Sequence, residues 1–143
     1  MNLRIATIAK QINASFEGDA SLLIDAISID SRSLQNGPHT LFFALIGPNN
    51  DAHSYIIDLI QQGVTHFVVQ YIPEDCVGKA HFLVVQNTLA ALQELASYHR
   101  SLFHFPVIGV TGSNGKTIVK EWLNFLLSLD YSIIRSPKSY NSQ

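Results

Sequence analysis

The chain has 143 residues, of which 47% are apolar and 14% charged, with a mean hydropathy of +0.17 and a net charge of −2. That is chain enough for one ordinary domain, or for a small domain and the opening of another, and it is too apolar to stay disordered. With no run of Lys or Arg it lacks the charge needed to neutralise a nucleic-acid backbone, and its longest apolar run, residues 41–46, falls far short of the roughly 20 residues that cross a bilayer.

The opening stretch Met1-Asn2-Leu3-Arg4-Ile5-Ala6 carries no long apolar region leading to a small-residue cleavage site, so no secretory signal is expected. Ile5, Ile8, Ala9 and Ile12 recur at helical spacing and predict a short docking helix that ends around Asn13 and Gly18. Ile27 and Ile29 alternate with Ser28 and Asp30, which predicts a strand leaving through the polar group Asp30-Ser31-Arg32-Ser33. Asn36-Gly37-Pro38 then turns the chain. Residues 40–46 are mostly apolar, with β-branched and aromatic side chains among them, stop at Gly47-Pro48, and read as a buried strand followed by the polar loop Asn49-Asn50-Asp51.

Ile56, Ile57, Leu59 and Ile60 form a helical stripe, closed by Gly63 at a C-cap position. Phe67-Val68-Val69 is the next strand, residues 73–78 a turn region, and residues 82–85 a further strand. The alternation predicts an α/β layered fold. Cys76, the only cysteine, excludes an internal disulfide and a cysteine metal cluster, which favours the cytoplasm. Asn87 is positioned to cap a long helix whose inward face is marked by Leu89, Leu92, Leu95 and Ala96. A domain boundary is expected within residues 101–106, giving units 1–103 and 104–143.

Residues 106–110 read as a short apolar strand, and residues 118–129 as a helix with Val119, Trp122, Leu123, Leu126 and Leu127 at helical spacing. Between them lies Thr111-Gly112-Ser113-Asn114-Gly115-Lys116-Thr117. A strand, a glycine-rich turn and a helix start bring backbone N–H groups and the positive end of a helix dipole to one point, which makes an anion site. Gly112 and Gly115 let the backbone approach phosphate oxygens, Lys116 reaches the β- and γ-phosphates of ATP, and the Thr117 hydroxyl is suited to a Mg2+ shell. The common pattern G-x-x-x-x-G-K-[ST] would need glycine at 110, where this chain has Val110 and places glycines at Gly109 and Gly112 instead.

That shifted loop, Gly-Val-Thr-Gly-Ser-Asn-Gly-Lys-Thr at 109–117, resembles the ATP loop of the Mur ligases, the amide-forming enzymes of peptidoglycan precursor synthesis. Asp30-Ser31-Arg32, Leu41-Phe42-Phe43-Ala44-Leu45, Gly47 and Asp51-Ala52-His53 look like the family's N-terminal domain in order and spacing. The resemblance implies a small UDP-substrate-binding α/β domain at 1–103 followed by the beginning of a P-loop parallel-sheet ATPase domain at 104–143. Residues 87–96 with Arg100 look most like the member that adds D-alanyl-D-alanine to UDP-N-acetylmuramoyl-tripeptide. Residues 116–122 and 136–143 are similar to a form fused to alanine racemase. Ile118 departs from the second hydroxyl residue usual in the family.

By the same resemblance the peptide carboxylate takes the γ-phosphoryl group of ATP to become an acyl phosphate, which the incoming amine attacks. The uridine end is implied to meet Ile29, Ser31, Pro48, Asn49 and Asn50, with Arg32 near the diphosphate. A plainer reading stands beside it, in which Asp30 and Arg32 are a surface ion pair and Asn49-Asn50 only a turn.

The six histidines show no H-x-x-x-H pair, so solvated or core-edge roles are favoured over metal binding. Phe42, Phe43, Phe67 and Trp122 read as packing residues. Two strands, 107–110 and 132–135, and one helix after residue 104 cannot cover both faces of a parallel sheet, so the chain is expected to need the rest of a longer polypeptide and to be inactive alone. Two other readings stay open: a folylpolyglutamate synthase-like ligase, which shares the loop and the acyl phosphate, and a non-catalytic nucleotide-sugar binding module with a vestigial loop.

Overall fold

The computed structural model describes residues 2–16, 20–32 and 37–136. Gly18, Ser33, Asn36 and residues 137–143, on which parts of the expected helix end, polar exit, turn and racemase-fusion resemblance rest, lie outside them. The chain divides into two compact units, Met1–Phe103 and His104–Gln143.

The first unit is built on a five-stranded sheet. Its strands are β2 (Ser15–Phe16), β4 (Ala26–Ser28), β5 (Thr40–Phe43), β6 (His66–Val69) and β7 (His81–Val84), in the order β2-β7-β6-β5-β4. β4, β5, β6 and β7 are mutually parallel and only β2 pairs antiparallel, at one edge. A separate two-stranded ribbon joins β1 (Leu3–Arg4) to β3 (Leu23–Ile24). The short strands β1, β2 and β3 carry too few residues for alternation to reveal them in the sequence.

Every residue of β5 and β6 is buried, as expected of parallel strands covered on both faces. The pleat sends alternate side chains to two cores. Leu41, Phe43, Val68, Leu83 and Val85 pack with Ile5, Ile8 and Ile12 and with Ala91 and Leu95. Phe42, Ala44, Phe67, Val69 and Phe82 pack on the other face with Ala52, Ile56, Leu59, Val64 and Cys76. Phe67 sits between Phe42, edge to face at 6.2 Å, and Phe82, stacked at 5.7 Å. Phe42, Phe43 and Phe67 are therefore core, in line with the sequence reading.

Helix α1 (Ile5–Gln11) buries Ile5, Ile8 and Ala9, and the chain leaves it through Asn13 at φ 53°. The expected helix over the 56–60 stripe begins as a 3-10 turn, Ala52–Tyr55, and continues as α2 (Ile56–Gln61). Its end is a Schellman motif: Gly63, at φ 91°, donates to the Ile60 carbonyl and Val64 to the Leu59 carbonyl, both at 3.0 Å. A further 3-10 turn, Glu74–Cys76, lies between β6 and β7 and buries the Cys76 thiol, which raises its pKa.

Helix α3 (Thr88–Ser101) is capped by Asn87, whose side chain accepts from the Ala90 amide at 2.9 Å. Its buried residues are Thr88, Ala91 and Leu95, whereas Leu89 is 52% exposed and Ala96 also faces out. Leu95 and half-buried Leu92 face the core as expected, but Ala91 takes the buried place expected of Leu89, a choice that hydrophobicity alone does not rank.

In the second unit, helix α4 (Lys116–Leu127) forms as expected, but it contains no buried residue and Trp122 is 67% exposed. The packing role read for Trp122 is not met among the described residues. Residues 107–110 and 132–135, expected as strands, are not paired as strands. A strand exists through its ladder, and neither segment pairs with a described strand. The segment after α4 folds back along it, through Arg135 to Glu121 at 2.6 Å and Lys120 to the Ser136 carbonyl at 2.8 Å.

Candidate functional site

Lys116 opens α4 directly behind Gly115, which takes the left-handed conformation at φ 79°; Gly112 is at φ 146°. Both values favour glycine, so the loop carries these residues where its backbone must turn. No side chain caps the helix, and the first bond at this end runs from the Val119 amide to the Gly115 carbonyl at 3.0 Å. The amides of the first turn therefore lie ahead of the helical ladder, at the positive end of the dipole. Residues 111–119, which include Thr111, Gly112, Ser113, Asn114, Gly115, Lys116 and Thr117, are all exposed.

The Lys116 ammonium bends back over its own loop, donating to the Gly112 carbonyl and, at 3.5 Å, to the Ser113 carbonyl. The cation is thus held against the loop that precedes the helix start, and a cation beside a positive helix end is chemically suited to an anion.

The second group of residues lies in the first unit. β4 and β5 are parallel neighbours, so the segments that leave them emerge at the same edge of the sheet. In open α/β sheets this carboxyl edge is where ligands bind. The first exit carries Ile29, which is 53% exposed, then half-buried Ser31 and exposed Arg32. The second carries Pro48, Asn49 and Asn50, all exposed.

Arg32 grips Asp30 with two guanidinium donors, Nε to Oδ1 at 2.9 Å and Nη2 to Oδ2 at 2.8 Å, while its amide donates to Oδ1 at 3.0 Å. These bonds hold the Asp30 carboxyl down at about 2 and raise the Arg32 pKa. The ion-pair reading of Asp30 and Arg32 is geometrically right. Two of the donors that would face a diphosphate are already committed to Asp30. Tyr55 braces the second exit: its hydroxyl donates to Asn50 Oδ1 at 2.9 Å.

Residues 46–51 form a small hairpin. Ile46 and Asp51 make a bridge, Gly47 donates to the Asn50 carbonyl at 2.8 Å, and Ala52 donates to the Leu45 carbonyl at 3.0 Å. Asp51 Oδ1 accepts from the His53 amide at 2.9 Å and from His53 Nδ1 at 2.6 Å, and Oδ2 accepts from the Tyr71 hydroxyl at 2.6 Å.

The His53 side chain is 1% exposed. Its Nε2 accepts from the Gln70 amide at 3.0 Å, which places the ring proton on Nδ1 and makes Nδ1 the donor to Asp51. The Tyr71 ring stacks on the imidazole at 4.2 Å. Burial acts to raise the Asp51 pKa, but the bonds from Tyr71 and His53 outweigh it and hold the carboxyl below its ordinary value; the same bond raises the Tyr71 pKa. His53 is thus a buried structural histidine. Tyr55 and Tyr71 were not singled out from the sequence, since Tyr71 stands 20 residues from the carboxylate it meets.

The phosphate loop and the carboxyl-edge residues belong to different units of the chain. Among the described residues no helix is long and apolar enough to cross a membrane.

No protein-family model matches the chain. It is 38% identical over 122 residues, 84% of its length, to the UDP-N-acetylmuramoyl-tripeptide–D-alanyl-D-alanine ligase of a Synechocystis strain, covering 26% of that protein. Ligases for 2,6-diaminopimelate also match. Among solved structures, MurF from Acinetobacter baumannii superposes with a TM-score of 0.79 at 28% identity, over 91% of this chain and 28% of that one. MurF ligase from Thermotoga maritima, solved in complex with ADP, superposes with a TM-score of 0.69 at 28% identity, over 87% of this chain and 28% of that one. The chain spans about a quarter of the length of the curated relatives it matches. Sequence and fold agree across nearly the whole chain, and on both grounds it belongs to the Mur ligase family.

Proposed function

We propose that this chain serves an ATP-dependent amide ligase that adds D-alanyl-D-alanine to UDP-N-acetylmuramoyl-tripeptide in peptidoglycan precursor synthesis. Residues 1–103 would hold the UDP end of the substrate, and residues 104–143 would begin the ATP-binding domain. The reading rests on one observation above the others: an exposed, uncapped helix start behind Gly115, with the Lys116 ammonium folded over the same turn. The names of the relatives at 32–38% identity, and the ADP complex of the Thermotoga structure, support it.

In this reading Thr111, Gly112, Ser113, Asn114 and Gly115 offer backbone donors to the β- and γ-phosphates, and Lys116 exchanges its loop carbonyls for phosphate oxygens. Thr117, the second residue of α4, would hold Mg2+, which when bound would neutralise charge on the β- and γ-phosphates. A carboxylate oxygen of the tripeptide attacks the γ-phosphorus and the bond to ADP breaks. The amine of D-alanyl-D-alanine then attacks the acyl carbon, phosphate leaves and the amine loses its proton. Lys116 contributes by stabilising charge that spreads over the moving phosphoryl group, so it serves the transition state as well as binding.

At the other end, Ile29, Ser31, Pro48, Asn49 and Asn50 would line the uracil and ribose, with Arg32 toward the diphosphate. An enzyme consuming ATP and a UDP-linked precursor, with one buried cysteine, belongs in the cytoplasm.

In the active ligase, Lys116→Ala should lower kcat by about 10²-fold or more with the protein still folded. Normal turnover by that variant would refute the assignment. Binding of the UDP-linked tripeptide with no ATP binding would instead favour a non-catalytic module, and binding of a folate would favour a folylpolyglutamate synthase-like enzyme.

A further inference from the structure

The hairpin that presents Pro48, Asn49 and Asn50 has little of its own to hold it. Its internal bonds are the Ile46–Asp51 bridge and the Gly47–Asn50 turn, and its tip is exposed. The Tyr55 hydroxyl holds Asn50 near the tip, and the remaining ties lie at the base. Asp51 is bonded by both carboxylate oxygens, to His53 on one side and to Tyr71 on the other, while the far nitrogen of His53 is bonded to the Gln70 amide. Gln70 and Tyr71 belong to the exit of β6, the next strand along the carboxyl edge. The base of one exit loop is thereby tied to the neighbouring exit.

We propose that Asp51, His53 and Tyr71 form a positioning latch that sets the shape of the 46–51 hairpin and through it the affinity for the UDP end of the substrate. The proposal rests on the assignment of Pro48, Asn49 and Asn50 to that end. The three act through the hairpin and are positioning residues.

Several features of the cluster serve geometry more than stability. His53 is held at both ring nitrogens, so the imidazole has a single tautomer and orientation. Tyr71, 49% exposed, adds little burial of its own, yet its hydroxyl reaches the carboxylate at 2.6 Å and its ring lies flat on His53. Charge-assisted bonds of this kind are short and directional, and they define an angle more tightly than apolar contact does. A hairpin swung by an ångström at its base would carry Asn49 and Asn50 away from a base edge, where hydrogen-bond donors must fall within a few tenths of an ångström.

The test is calorimetric titration of the chain with UDP-N-acetylmuramoyl-tripeptide, run beside thermal melts of each variant. Tyr71→Phe keeps the stacked ring and removes only the hydroxyl. We expect it to weaken binding about five- to ten-fold while the melting midpoint moves by no more than about 3 °C. Asp51→Asn, which keeps an acceptor for the two His53 donors, should bind better than Asp51→Ala. Should Asp51→Ala fail to fold, the Tyr71→Phe and Asp51→Asn results decide.

Wild-type affinity in both Tyr71→Phe and Asp51→Asn would overturn the latch and leave the UDP site standing. Normal binding by Tyr71→Phe with loss in Tyr71→Leu would also overturn it, by making the ring a direct contact. A drop in melting midpoint without any change in affinity would reduce the cluster to a structural role and overturn the proposal. No binding by the wild-type chain would remove the UDP assignment itself, and the latch with it.

Discussion

The two units of this chain follow the same local rules to different ends. In Met1–Phe103, four parallel strands find partners, two helices cover one face and a third covers the other, and Phe42, Phe43, Phe67 and Leu41 are fully buried. In His104–Gln143, a helix with strong apolar content forms and buries nothing, while Ile118, Trp122, Phe125 and Leu126 stand exposed. The difference shows that helical periodicity is sufficient to make a helix but not to make a core. A parallel strand needs a neighbour to pair with and cover for its faces, and only the first unit supplies them among the described residues.

The largest expected effect tests the filled side of the contrast. Phe67→Ala removes a ring held between Phe42 and Phe82 and should cost about 3–5 kcal/mol in urea unfolding of the first unit. A loss under about 1 kcal/mol would mean that this core is loosely packed. Next, Asn87→Ala removes the acceptor for the Ala90 amide and should cost about 1 kcal/mol, seen as a lower unfolding midpoint at unchanged m-value.

Trp122→Ala probes the empty side, and its effect on the same curve should stay within about 0.5 kcal/mol. If it matched Phe67→Ala, the helix would be covered in solution, and the contrast between the units would be lost. Amide exchange sharpens the same point without mutation: Phe67, Val68 and Val69 should exchange slowly, and residues 107–110 at rates near those of an open chain.

The smallest effect concerns the Asp30–Arg32 clasp. Its folded pKa, about 2, lies below the ordinary 3.8. The stabilisation is therefore present above about pH 4 and is lost as pH falls from there through about 2, because the unfolded chain takes up the proton first. A carboxyl-carbon NMR titration should give a midpoint near 2 for Asp30 in the wild type and one close to 3.8 in Arg32→Ala. Equal midpoints would show that the clasp is open in solution.

How much of this could be read without coordinates follows a physical boundary. Elements whose evidence lies within a few residues were legible: α1, the Asn87 cap, the Gly63 end of α2, the core character of Phe42 and Phe67, and the glycine turn that leads into the helix at Lys116. Helical spacing, caps and turn chemistry are properties of neighbours along the chain, and the sequence states them directly.

Where the outcome depended on residues far apart, the sequence was silent or misled. It did not rank Ala91 above Leu89 for the buried face of α3, and it offered residues 107–110 as a strand with nothing to pair against. It gave no sign that Tyr71 closes on Asp51. A strand needs a partner, a carboxylate a donor and a helix face a surface to meet. Which residues fill those places is set by packing in three dimensions, where sequence separation no longer measures distance.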